Sequence, residues 1–163
     1  MYNYDLIDHV DTRIKEPKSI VKKMEKKKYK KTYFNLIEKI NDIAGMRIVC
    51  TLKDDIFFIK DLIKQIPDVH ILKEKDYVTN PKPSGYSSYH MIVEVPVKLS
   101  QKTIYVKCEI QIRTLAMDFW ASFEHKIKYK TENEVNKKTS KELVNCAKMI
   151  SKFDDKMISL KNI

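Results

Sequence analysis

Glycine is nearly missing from this chain, with two in 163 residues, where an average composition supplies about ten. Each one that is kept therefore has a reason to be there. Gly45 lies in Asp42-Ile43-Ala44-Gly45-Met46-Arg47, and Gly85 in Asn80-Pro81-Lys82-Pro83-Ser84-Gly85-Tyr86-Ser87-Ser88-Tyr89-His90. A missing Cβ lets another backbone or a ligand come close at these points. The scarcity also leaves no glycine-rich phosphate loop of the Walker or Rossmann kind. Arginine is scarce too, present only as Arg13, Arg47 and Arg113 in a chain of net charge +10. Where lysine is the default cation, an arginine marks a need for its planar fork or its stacking. Cysteine is sparse and odd in number, and Cys50, Cys108 and Cys146 are too widely spaced for a disulfide framework or a zinc site. They read as buried free thiols in a reducing cytoplasm. No apolar run approaches the roughly 18 residues of a membrane span. The first residues, Met1 to Asp5, are polar and lack a signal-peptide core. The expectation is a cytoplasmic protein with no membrane partner. No serine or cysteine lies in a nucleophile signature, and Glu124-His125 has no partner at metal-ligand spacing and reads as helix surface.

What is present is ordinary for a folded domain. The chain is 43% hydrophobic, and its length suits one domain over residues 1–163 with a substantial core. Seven lysines fall between Lys22 and Lys31, and seven more between Lys137 and Lys161. They suit an anionic partner, nucleotide phosphate or nucleic acid, and equally a solvated surface. The elements read as mixed α/β (α+β). A strand over 5–15 precedes a helix opened by Pro17 and running to about Lys27. A short helix or turn covers 33–40, and a strand runs from Ile43 to Leu52. Asp54 or Asp55 caps a helix with the stripe Ile56, Ile59, Leu62, Ile63 and Ile66, ended by Pro67. A strand over 69–78 and a loop over 79–86 follow. Strands over 88–95 and 103–112 form a hairpin. A helix over 115–130 carries Leu115, Phe119, Trp120, Phe123 and Ile127 on one stripe, and a last amphipathic helix spans about 138–160.

The strand at 103–112 divides by period two. Val106, Cys108, Ile110 and Ile112 share one face, and Lys107, Glu109, Gln111 and Arg113 the other. In the preceding strand His90 and Glu94 oppose Met91, Val93 and Val95. A polar sheet face beside the Gly85 loop is either solvated surface or a place for a polar ligand. The loop adds two prolines, Lys82, His90 and the flat ring of Tyr86, which together suggest a nucleotide site. Asp42 and Glu109 are a candidate Mg²⁺ pair, since Mg²⁺ is held by one or two carboxylates with phosphates and water. A turn or cap role for Asp42 fits equally well.

These motifs occur together and in order. Thr12-Arg13-Ile14-Lys15, Ser19, Lys23, Asp42 to Val49, Lys75-Asp76-Tyr77, Asn80 to Tyr86, His90, Glu109 to Thr114 and Ala116 to His125 cover residues 8–130. In that combination the chain resembles the synthetase domain of the RelA/SpoT family, particularly the stand-alone small alarmone synthetases. The resemblance implies a nucleotidyltransferase-like synthetase fold, with a mixed sheet of about five strands flanked by helices. It implies transfer of the β,γ-pyrophosphate of ATP to the ribose 3′-OH of GDP or GTP, giving guanosine tetra- or pentaphosphate and AMP. Asp42 and Glu109 are then the Mg²⁺ ligands, with Glu109 also activating the 3′-OH. Arg13 and Arg47 clasp adenine, and Tyr86 stacks on guanine. Ser19, Lys23, Lys75, Lys82 and His90 contact phosphates or orient the acceptor, and Gln111 joins the nucleotide-binding set.

The chain departs from the family pattern at Ser87, where many small synthetases carry arginine, and Lys73 opens the Lys-x-Lys-Asp segment in place of arginine. The helical segment that usually precedes the first motif is largely absent, and neither hydrolase nor regulatory domains are expected. A homo-oligomer is expected. Two other readings stay open. One is pyrophosphorylation of the 3′ end of tRNA, for which the lysine runs suit RNA. The other is a non-catalytic RNA- or nucleotide-binding module.

Overall fold

The computed structural model describes residues 5–130 and 136–161. Ten elements follow one another: β1 (Ile7–Ile14), α1 (Pro17–Lys26), α2 (Tyr33–Lys39), β2 (Ala44–Cys50), α3 (Lys53–Lys64), β3 (His70–Asp76), β4 (Tyr89–Lys98), β5 (Thr103–Thr114), α4 (Leu115–Lys130) and α5 (Lys137–Lys161). Local chemistry sets several boundaries. Pro17 opens α1, where its missing N–H costs nothing. Thr32 caps α2, its hydroxyl accepting from the Asn35 N–H at 3.2 Å. The α3 expectation needs correcting. Neither Asp54 nor Asp55 is the cap residue, because the helix already starts at Lys53. The buried Asp55 carboxylate instead reaches back one turn and accepts from the Leu52 N–H at 3.0 Å.

The strands form one mixed sheet in the order β1-β2-β5-β4-β3. β2 and β5 are parallel, and the other three pairs are antiparallel. The expected β4–β5 hairpin is present, with β4 running three residues and β5 two residues past their expected C-terminal ends. One face of the sheet is core: Ile48, Cys50, Met91, Val93, Ile110 and Ile112 pack with Ile56, Ile59 and Ile63 of α3 and Met117 of α4. Fully burying such side chains stabilises by about 1.5–3 kcal/mol each.

Two expected stripes are out of phase with the observed burial. Leu62 on α3 and Ile66, which lies past its end, are half exposed, because the sheet accepts only the narrower row Ile56, Ile59 and Ile63. On α4, Phe119 is 69% exposed and Leu115 and Phe123 are nearly half exposed. The buried residues are Met117 and Trp120, because Trp120 turns toward α5 and donates its indole N–H to the Leu143 carbonyl at 2.9 Å. Of the thiols only Cys50 is buried; Cys108 and Cys146 are intermediate. Burial first, and the charge of Asp55 second, push the Cys50 thiol up to about 12.

Gly85 holds φ at +92°, and a Cβ there would meet the Ala147 Cβ at 2.5 Å. Its close approach is therefore to α5 and not to a ligand. The 79–86 loop is clamped onto α5 from behind, which leaves Tyr86 facing the other way.

Candidate active site

The second face of the sheet is polar, and strand register assembles it. One row runs Arg13, Gly45, Glu109, Ile92 and Lys73 across all five strands. The next runs Asp11, Arg47, Gln111, His90 and Lys75. In β2, β4 and β5 alternation turns the intervening Met46, Ile48, Met91, Val93, Ile110 and Ile112 toward the core, while β1 is exposed along its whole length. Gly45 has its own part here. A Cβ there would stand in ordinary contact, 3.5 Å from Arg13 Cγ and Nε, which places the Arg13 side chain over β2 on its way to the middle of the sheet.

Three adjoining cavities share these residues. One of about 440 Å³ is lined by Lys23, Lys39, Asp42, Lys73, Lys75, His90 and Glu109 among others. A second of about 240 Å³ lies between Arg13, Gly45, Arg47, Glu109 and Gln111. A third of about 410 Å³ is bounded by Arg13, Arg47, Tyr86, Gln111 and Arg113, with Glu124 and His125 of α4 at its wall. Glu124-His125 is thus part of the cleft's rim rather than plain helix surface.

Asp42 and Glu109 meet in the first cavity. Asp42 Oδ2 accepts from Lys15 at 2.6 Å and from Lys23 at 2.7 Å, while Oδ1 is buried with no hydrogen-bond partner among the described residues. Burial pushes this carboxyl up, but the two ammonium groups outweigh it and hold it below the usual range. Glu109 Oε1 stands 3.6 Å from His90 Nδ1, and Oε2 accepts from Gln111 at 3.0 Å. His90 is the main influence drawing Glu109 down, opposed by burial and by the charge of Asp42, with Gln111 assisting.

At the other end Tyr86 O–H meets His90 Nε2 at 2.8 Å. Lys82 Nζ stands 4.5 Å above the Tyr86 ring and 4.6 Å above Tyr77. Burial above all raises the Tyr86 phenol, so the hydroxyl stays protonated.

Arg13, Lys23, Asp42, Arg47, Lys75, Tyr86, His90, Glu109 and Gln111 therefore gather around one cleft, and Lys82 covers the tyrosine at its end. Ser19 stands apart: it is exposed on α1 and lines none of the three cavities. Ser87 points away, its hydroxyl 3.6 Å from the Met117 sulfur. Lys15, Lys73, Tyr77, Arg113 and Asp118 are members of the site to which the sequence reading assigned no role. Period two marks the first two, since Lys15 follows Arg13 and Lys73 precedes Lys75 by two residues. Arg113 shares the polar face of β5. Nothing in the sequence marks Asp118, whose carboxylate stands 3.4 Å from Arg47 and 3.5 Å from Arg113.

Residues 12–134 match the model for the region found in RelA and SpoT proteins. The chain belongs to the RelA/SpoT family. It is 45% identical over 161 residues to the GTP pyrophosphokinase YwaC of Bacillus subtilis, covering 99% of this chain and 77% of that protein. Its fold superposes on the small alarmone synthetase 2 of Bacillus subtilis with a TM-score of 0.89 at 46% identity, covering 98% of this chain and 83% of that one. The small alarmone synthetase 1 of the same organism, solved with its product pppGpp, gives 0.87 at 35% identity, with 96% and 79% covered. The RelA/SpoT synthetase fold expected from the motifs is the fold observed.

Proposed function

We propose that this RelA/SpoT chain is a pyrophosphokinase that makes the alarmones pppGpp and ppGpp from ATP and GTP or GDP. The observation that carries this reading is the meeting of Asp42 and Glu109 in one lysine-lined cavity, beside an adjoining cavity that Arg13 and Arg47 share with Tyr86. The relatives named above give the reaction. In it the acceptor 3′-oxygen attacks the β-phosphorus of ATP, the bond to the α-phosphate oxygen breaks, and AMP leaves. Glu109 takes the hydroxyl proton, its carboxylate being held ionised by His90 and Gln111. Arg13 and Arg47 stack on adenine, where a guanidinium plane suits an aromatic base. Guanine stacks on Tyr86 and displaces Lys82 from the ring toward the phosphates. Lys23, Lys73, Lys75 and His90 neutralise phosphate charge. Such chemistry depends mostly on positioning and on compensating developing charge.

The donor set fits a hard divalent cation such as Mg²⁺. Two carboxylates face the cavity, and Asp42 Oδ1 is buried without a partner. Among the described residues no group of three His, Cys, Asp or Glu forms an all-protein cage. Mg²⁺ is typically bound by one or two carboxylates, with substrate phosphates completing the shell. When bound, the ion would offset charge on the transferred pyrophosphate, held by Asp42 and Glu109. Ser19 remains a proposed phosphate contact, one helical turn before Lys23 on α1.

The test is direct. The protein is incubated with γ-labelled ATP and with GDP, GTP or tRNA in separate reactions. Label is expected on the guanine nucleotides, with AMP released. Label on tRNA alone would transfer the same chemistry to a different acceptor. No label on any of the three would reduce the chain to a binding module.

A further inference from the structure

On the polar face of β5 three side chains at spacing two bond in series. Arg113 Nη2 donates to Gln111 Oε1 at 2.6 Å, and Gln111 Nε2 donates to Glu109 Oε2 at 3.0 Å. We propose that Arg113 is a positioning residue for Glu109, acting through Gln111. The proposal rests on the reading of Glu109 as the group that takes the acceptor's proton.

The chemistry of the donors enforces the direction of the relay. A guanidinium has five N–H donors and no acceptor, so only the amide oxygen of Gln111 can face it. That choice leaves the amide NH₂ aimed at the carboxylate, which can only accept. Gln111 is thus tied at both ends and cannot rotate without losing a charge-assisted bond. The tie in turn occupies Glu109 Oε2 and leaves Oε1 as the oxygen beside His90. Arg113 is suited to be the anchor. It is 3% exposed, and its Nε lies 3.5 Å from Asp118 Oδ1. A lysine could supply the charge but not the fork. Asp118 also pairs with Arg47 at 3.4 Å, so removing Arg113 does not leave that carboxylate without a cation.

The test is a double-mutant cycle on the whole protein, with Arg113→Met, Gln111→Met and both together. Each single change is expected to lower kcat about ten- to a hundredfold, since small misplacements of a reacting group cost that much. The KM for ATP and for the acceptor should stay within about threefold. The double variant should be no slower than Gln111→Met alone, because Arg113 has nothing left to act through. Arg113→Lys should recover part of kcat. A second readout needs no turnover. The chain has three glutamines, Gln65, Gln101 and Gln111, so selective ¹⁵N-glutamine labelling resolves the Gln111 side-chain amide. In nucleotide-free protein its two proton shifts should move to those of a free side-chain amide in Arg113→Met and stay near the wild-type values in Arg113→Lys. Should Arg113→Met melt early, the cycle of Arg113→Lys with Gln111→Met decides the same question. Losses that multiply in the double variant, or a kcat near wild type in Arg113→Met, would overturn the relay while leaving the pyrophosphokinase reading intact. A wild type that labels no acceptor would sink that reading instead.

Discussion

The two faces of the one sheet are made from the same strands and do opposite things. On the face toward α3, Met91, Val93 and Ile112 are fully buried, and packing leaves nothing for a ligand to do. On the other face polar groups stand incompletely matched. Asp42 Oδ1, Arg47 Nε, Arg113 Nε and Asp118 Oδ1 are all buried without a hydrogen-bond partner among the described residues. Buried polar atoms are rarely left so, because each one costs stability. They are concentrated where substrates are proposed to bind. The contrast teaches that alternation along a strand can separate stability from chemistry within adjacent residues. Ile112 serves one and its neighbours Gln111 and Arg113 the other.

If that separation is real, changes on the polar face should cost rate and spare stability. Asp42→Asn or Glu109→Gln removes a charge at nearly constant volume. Loss of transfer by about 10²–10³ is expected, with the melting temperature within a few degrees of wild type. Near-normal turnover at saturating Mg²⁺ would break the comparison on its polar side. The converse change is Ile112→Ala, which should cost about 3 kcal/mol of stability in a urea titration. Turnover per folded molecule should stay within a few-fold. A large loss in rate with little loss in stability would show that the two faces are not independent.

Smaller effects sharpen the map within the cleft. Tyr86→Ala should weaken GDP binding by roughly 1–3 kcal/mol and barely change binding of a non-hydrolysable ATP analogue. Arg47→Ala should do the opposite. Calorimetry with both ligands on both variants checks this, and equal losses everywhere would contradict separate base pockets. The smallest effect is expected far from either face. Exchanging Lys26, Lys28, Lys137 and Lys138, which line none of the three cavities, for Gln should leave guanine-nucleotide turnover within a few-fold. A collapse of wild-type activity between roughly 50 and 200 mM salt, together with severe loss in this variant, would point to a nucleic-acid acceptor.

Most of the fold was legible because β4 and β5 alternate cleanly and Pro17 signals the start of α1. The stripes on α3 and α4 misled, because a 3.6-residue period shows that a helix has an apolar side but not how much of it a neighbour will cover. Phe119 and Leu62 have the right spacing, yet among the described residues they stay 69% and 45% exposed. Much of the site was legible as separate motifs. Asp42, Glu109, Arg13, Arg47, Tyr86 and His90 could each be named from residue type, local spacing and resemblance.

The sequence by itself determined which residues have the chemistry and which face of its own strand each one takes, since both follow from covalent identity and a period of two. Only the tertiary structure decided which of them meet. Register across five strands puts Arg13 beside Gly45 and Glu109, residues far apart in the chain. The turn of α4 out of β5 brings Asp118 to two arginines. The clamp of Gly85 on α5 aims Tyr86 into the cleft. Those are long-range contacts set by packing the whole apolar face at once, and no local stretch of chain contains the information to specify them.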